Sequence, residues 1–232
     1  MSKTIFVHIP KNAGMTIRHS TQLRDKILVN SPDRHKSKAY TKGLHEQMAK
    51  TGDHHGNEHA RWRDLNEDYR ESNPAFAVIR NPWDRVVSRY FFAKKVIEVE
   101  QKESSRYANT SSFEAFLDER FKWGEEEYMW HRAVRGWYPA MDHITDEQGN
   151  VRCDCLRLEN LSNDLIDYFD LQNMSRARNV TALNKGSYKD MYTPQTIQII
   201  GDWYKADVDY FEIGRAHVRT PVTRGSRMPS SA

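Results

Sequence analysis

The chain has 232 residues, 38% hydrophobic and 29% charged, which suits a soluble globular protein of one moderate domain with a real core. No stretch approaches the ~20 apolar residues of a membrane span, and the first apolar run is too short, and interrupted by His8, to be a secretory leader, so a cytoplasmic protein is expected. The net charge of +3 belongs to the end of the chain: Arg215, Arg219, Arg224 and Arg227 follow Gly214 with no acidic residue, residues 1–214 carry about −1, and the balance gives no case for a nucleic-acid partner.

Residues 5–9 open the chain with a β-rich apolar run (Ile5, Phe6, Val7, Ile9) that stops at Pro10. Lys11 follows, then the small turn Asn12, Ala13, Gly14, then Met15 and the hydroxyl of Thr16. The pattern predicts strand, tight loop and helix start, an arrangement that presents backbone N–H groups and a lysine to an anion. The spacing differs from the common nucleoside-triphosphate loop, whose lysine follows its second glycine; here Lys11 precedes Gly14. A helix is expected over 16–29, with Ile17, Ile27 and Leu28 as core contacts. Residues 30–58 are polar and read as a loop with short helical pieces near the site, and 60–69 as helical.

Residues 75–79 form a short continuous apolar run, as for a strand buried on both faces. Asn81 suits a helix cap and Pro82 the first turn. Trp83, Val86, Val87 and Tyr90 recur at helical spacing on the core face of a helix running to about 101, with Arg85, Ser88 and Phe92 along another face. Arg80 therefore ends a strand and Ser88 lies two turns into the next helix, and both can face the crevice where open α/β sheets bind ligands. An arginine fork with a hydroxyl makes a phosphate clamp. The plainer alternative is an Arg80–Asp84 ion pair in an ordinary strand-to-helix turn.

Residues 103–110 are a polar break. Phe113, Phe116, Leu117 and Phe121 have helical spacing behind a Ser112 cap, and Glu125, Glu126 and Glu127 read as a solvated helix start rather than a metal site. A turn at 146–150 precedes a strand at 151–158. There Cys153 and Cys155 share one face and are expected to stay unbonded. Helices are expected at 161–169 and 194–211, the latter with Ile197, Ile200, Trp203, Tyr204, Val208 and Phe211 on its apolar side. Residues 215–232 are read as disordered or foreign sequence. The alternation of elements predicts an α/β fold, a P-loop-like central parallel sheet flanked by helices.

Two stretches carry a resemblance. The run from Pro10 to Ile17 is similar to the loop that holds the 5′-phosphosulfate of PAPS (3′-phosphoadenosine 5′-phosphosulfate) in the sulfotransferase superfamily. The run from Arg80 to Tyr90 resembles its 3′-phosphate motif, Arg-x-Pro-x-Asp-Arg-x-x-Ser-x-Tyr, at every fixed position. Arg157-Leu-Glu-Asn-Leu161, Asn184-Lys-Gly-Ser187, Tyr188, Tyr192 and residues 207–211 extend the likeness over roughly 4–214, nearest to carbohydrate sulfotransferases of the Golgi and bacterial type, the group of heparan sulfate 2-O-sulfotransferase. Two departures stand out. Met15 replaces one of two hydroxyl residues after the loop glycine, and Pro139-Ala140 stands where Pro-Gln is common.

The resemblance implies sulfuryl transfer from PAPS, with PAP as product, to an acceptor hydroxyl, with a glycan as the acceptor expected. It assigns Lys11 to the leaving phosphate, residues 12–16 to the 5′ end (Asn12, Ala13, Gly14, Met15, Thr16), Arg80 and Ser88 to the 3′-phosphate, and Lys185, Gly186 and Ser187 to a segment closing over the nucleotide. It also points to His59, before the small Ala60, as the general base, with Glu58 or His55 next. Three other readings stand beside it. His55-x-x-Glu58-His59 matches an inverted zinc-peptidase motif, which needs a helix that Gly56 and Asn57 disfavour. A small-molecule kinase and a non-catalytic nucleotide- or glycan-binding module are the others.

Overall fold

A computed structural model describes residues 3–36, 42, 57–98, 108–123, 136–174 and 187–213. Its centre is a four-stranded, wholly parallel sheet in the order β2–β1–β3–β4, formed by β1 (Thr4–Val7), β2 (Ile27–Val29), β3 (Ala75–Ile79) and β4 (Asp154–Arg157). β1 and β3 are buried at every position, which is why they read as unbroken apolar runs. Their side chains alternate between two cores. Phe6, Phe76, Val78 and Leu156 face one side with Ile17, Leu165 and Phe169. Ile5, Val7, Ala75, Ala77 and Ile79 face the other with Trp62, Ile144 and Phe211. Each fully buried Leu, Ile, Val or Phe contributes about 1.5–3 kcal/mol to keeping these layers together.

The helices follow as α1 (Gly14–Arg18), α2 (Glu67–Glu71), α3 (Pro82–Glu98), α4 (Phe113–Trp123), α5 (Ala140–Ile144), α6 (Leu161–Phe169), α7 (Pro194–Trp203) and α8 (Lys205–Tyr210). The start of α3 is the expected one: Asn81 Oδ1 accepts from the Trp83 amide at 3.0 Å, and Pro82 occupies the first turn. Trp83, Val86, Val87 and Tyr90 are buried in a third core with α4 and α7. Ser112 caps α4 through the Ala115 amide. Among the described residues no helix is long and apolar enough to cross a membrane.

The structure corrects several expectations. The helix expected over 16–29 stops at Arg18, and Ile27–Val29 is instead an edge strand on β1. After α1, Ser20 bonds Gln22 through its hydroxyl, and turns carry the chain to three consecutive β-formers or aliphatics. Residues 60–69 hold a 3₁₀ turn at Trp62–Asp64 and the start of α2 rather than one helix. The strand expected at 151–158 pairs only over Asp154–Arg157, Val151 making an isolated bridge to Thr145. The helix expected over 194–211 breaks at Tyr204 (φ −101°, ψ 28°) into α7 and α8, where the ring is fully buried. Phe121, placed on the apolar side of α4, is 66% exposed. The cysteines are unbonded, and burial pushes both thiols up, Cys155 to about 12. The expectations at residues 125–127, His55, Lys185, Gly186 and 215–232 lie outside the described residues.

Candidate active site

In the order β2–β1–β3–β4, the chain moves one way from β1 and the other way from β3. The loops after these neighbouring strands part company, and a crevice opens at their carboxyl ends. Lys11 sits on one side of it, four residues beyond β1, and Arg80 on the other, immediately after β3.

The loop over residues 8–13 is held by the β3–α3 unit. Asn12, completely buried, donates from Nδ2 to the Val78 carbonyl at 2.7 Å. Arg85, 1% exposed, donates from Nε to the Pro10 carbonyl at 3.1 Å and from Nη1 to the Tyr138 carbonyl at 2.9 Å. Arg80 donates from Nη1 to the Lys11 carbonyl at 2.8 Å and from Nε to Asp84 Oδ2 at 2.7 Å. The Arg80–Asp84 pair offered as the plain alternative is therefore present, and it coexists with the loop contact. Two of the five N–H donors of an arginine are used in these bonds, leaving the rest of a pre-oriented fork for an anion.

Fastening the Pro10 and Lys11 carbonyls to one side requires an unusual backbone. Lys11 (φ 68°) and Ala13 (φ 59°) are both left-handed, at a cost of about 1–2 kcal/mol each. Left-handed residues alternating with ordinary ones are how a chain builds an anion-binding nest of N–H groups. Met15 is 41% exposed and supplies no donor, whereas Thr16 is buried and lines a cavity of ≈ 270 Å³ with Ala13 and the turn between β4 and α6 (Leu158, Glu159, Asn160). Ser88 is 5% exposed on α3. Ser187 caps the turn Tyr188–Met191, which packs on α3. Tyr188 is close enough to Asp84, Glu159 and Arg80 to feel their charges, and burial raises its phenol.

Gly14 is fixed by contact. A Cβ on it would lie 1.6 Å from His8 Nε2, so the His8 ring rests on the loop backbone. Gly14→Ala should destabilise the protein by about 1–3 kcal/mol, the cost of overpacking a filled site, and weaken anion binding with it; urea titration of both proteins measures the first effect.

His59 lies in the 3₁₀ turn Asn57–His59. Its Nδ1 is 2.8 Å from the His8 carbonyl oxygen, and its ring lies 4.2 Å from the His8 ring. A carbonyl only accepts, so Nδ1 carries the proton and Nε2 carries the basic lone pair of neutral His59. Glu58 is buried and faces Arg18 at 3.7 Å. The turn is not the helix that the zinc-peptidase motif requires. Beneath this side of the site, burial and the charges of Arg85 and Arg61 hold His143 well below the ordinary histidine range, and it is neutral at pH 7. Burial raises Asp207, which accepts from the amides of Ala140 and Met141 at 2.8 and 2.9 Å and so caps α5 from a distance.

The residues marked in the sequence thus lie on two units, Lys11, Ala13, Gly14 and Thr16 on the first loop and helix start, Arg80 and Ser88 on the β3–α3 unit, and the Arg80–Lys11 hydrogen bond joins the two. A model of the sulfotransferase family matches residues 2–213. The chain belongs to the sulfotransferase family. No curated protein and no solved structure matches it. In this sulfotransferase, three supporting roles were not legible beforehand. Arg85 occupies a fixed place in the second motif, yet its role as the bolt under Pro10 needs the fold. The Asn12 side chain points into the protein as a tie to β3, a role no local pattern announces. The signal for His8 was its interruption of an apolar strand.

Proposed function

We propose that this sulfotransferase moves a sulfuryl group from PAPS to a hydroxyl group of a carbohydrate by in-line displacement. The observation that supports the reading is the Arg80–Lys11 hydrogen bond, which ties the guanidinium that follows β3 to the backbone of the lysine that follows β1. A nucleotide with phosphate groups at both its 3′ and 5′ positions fits such a crevice. Its 3′-phosphate would meet Arg80 and Ser88 with Ser187 nearby, and its 5′-phosphosulfate the loop over 11–16. The cavity beside Thr16 would take part of the nucleoside. Lys185 and Gly186 are assigned to the same closure by motif alone, and the glycan acceptor likewise rests on the motif resemblance.

In the reaction, the acceptor oxygen attacks sulfur while the bond from sulfur to the bridging phosphate oxygen breaks. The acceptor proton passes to Nε2 of His59, leaving PAP and a sulfate ester. Lys11 stabilises the negative charge that grows on the departing phosphate. As in phosphoryl transfer, positioning and electrostatics supply most of the acceleration.

The test is thermal stability with PAP, ATP and zinc as separate additions. PAP at a hundredfold excess over its Kd should stabilise the folded protein by about 2.7 kcal/mol. Stabilisation by ATP without PAP would favour a kinase, and stabilisation by zinc alone a metalloenzyme.

A further inference from the structure

Lys11 has a second feature. Its Nζ stands over the ring of Phe92, 4.2 Å from the centroid. Phe92 is half-buried on α3, one helical turn beyond Ser88, so the helix that carries Ser88 and starts two residues after Arg80 also presents an aromatic face to the ammonium. The left-handed backbone at Lys11 aims the side chain from one side, and the ring receives it from the other.

We propose that Phe92 is a positioning residue for the transfer step, an inference that rests on the reading of Lys11 as the leaving-group cation: its π face holds the Lys11 ammonium at the bridging oxygen without neutralising it. The physical case is one of charge. A carboxylate would hold a lysine as firmly but would cancel its field and compete with the leaving phosphate for it. A phenyl ring attracts the cation through its quadrupole and carries no formal charge, so this contact itself cancels none of the ammonium's charge as the transition state forms. A flexible four-carbon stem would otherwise have to be ordered at that moment. Ordering it beforehand lowers the barrier without tightening the ground-state complex, so the effect belongs in kcat.

The experiment replaces Phe92 with Leu, Tyr and Trp, and with phenylalanines carrying one, two or three ring fluorines. Fluorination drains the π face while keeping the ring's shape. Turnover is followed as PAP release from PAPS with a mixed pool of glycan acceptors, PAP affinity by calorimetry, and folding by thermal melting. Phe92→Leu is expected to lower kcat about fivefold, the effect of a cation–π contact of about 1 kcal/mol, with PAP affinity nearly unchanged. Tyr and Trp should retain activity, and kcat should decline stepwise with each fluorine while melting stays constant. A flat or rising kcat along the fluorine series, or loss with Tyr as large as with Leu, overturns the proposal. Lys11→Met separates the two levels: if it is inactive while the fluorine series is flat, the role of Lys11 stands and that of Phe92 falls. If it stays active, sulfuryl transfer by Lys11 itself is wrong.

Discussion

Lys11→Met should reduce kcat by about 10²–10³-fold, the range seen when one preorganised stabiliser of transition-state charge is removed, while PAP affinity falls by less than tenfold. The split is expected because the product nucleotide would be held largely by groups that the substitution spares: the Arg80 fork, Ser88 and the loop N–H groups. The backbone that shapes the loop is fixed through carbonyls and Asn12, so it too should survive. Calorimetry with PAP alongside steady-state PAP release distinguishes the outcomes. Equal losses in binding and turnover would mean that Lys11 is a general anchor, and no loss in turnover would remove it from the chemistry.

His59→Ala should lower kcat by about 10²–10⁴-fold, the usual contribution of a positioned general base, with PAP binding unchanged. A backbone carbonyl, which accepts at any pH, holds His59 through Nδ1. Glu58, the nearest rival, faces Arg18 and is committed to a cation. Glu58→Gln should therefore cost far less than His59→Ala; the reverse order would transfer the base to Glu58. Insensitivity of both rates to a chelator is expected as well.

What the sequence disclosed follows from where local chemistry decides structure. β3 and the start of α3 were legible because an apolar run, a capping Asn81 and Pro82 all specify the same local geometry. α6 was legible over its whole length because its hydrophobic period is undisturbed. The stretch after Arg18 was not. Ile27, Leu28 and Val29 satisfy a helical or an extended pattern equally, and the choice was made by the open edge of β1. Tyr204 fitted a continuous helix by spacing, and its burial under α3 broke it. At the site, the groups proposed to hold ligands were visible as motifs. The ties beneath them were not, because Asn12, Arg85 and the His8 carbonyl act on residues far away in sequence, and no local pattern records such partners.

The contact from Arg80 to the carbonyl of Lys11 has a consequence for donor choice. On the proposed reading, the group that would grip the distant phosphate is bolted to the backbone of the residue that assists bond cleavage. Occupancy at the far end then stiffens the near end, and an analogue lacking the 3′-phosphate would forfeit rate as well as affinity. Discrimination between donor nucleotides would be written into main-chain geometry, beyond the reach of changes confined to the walls of the acceptor pocket.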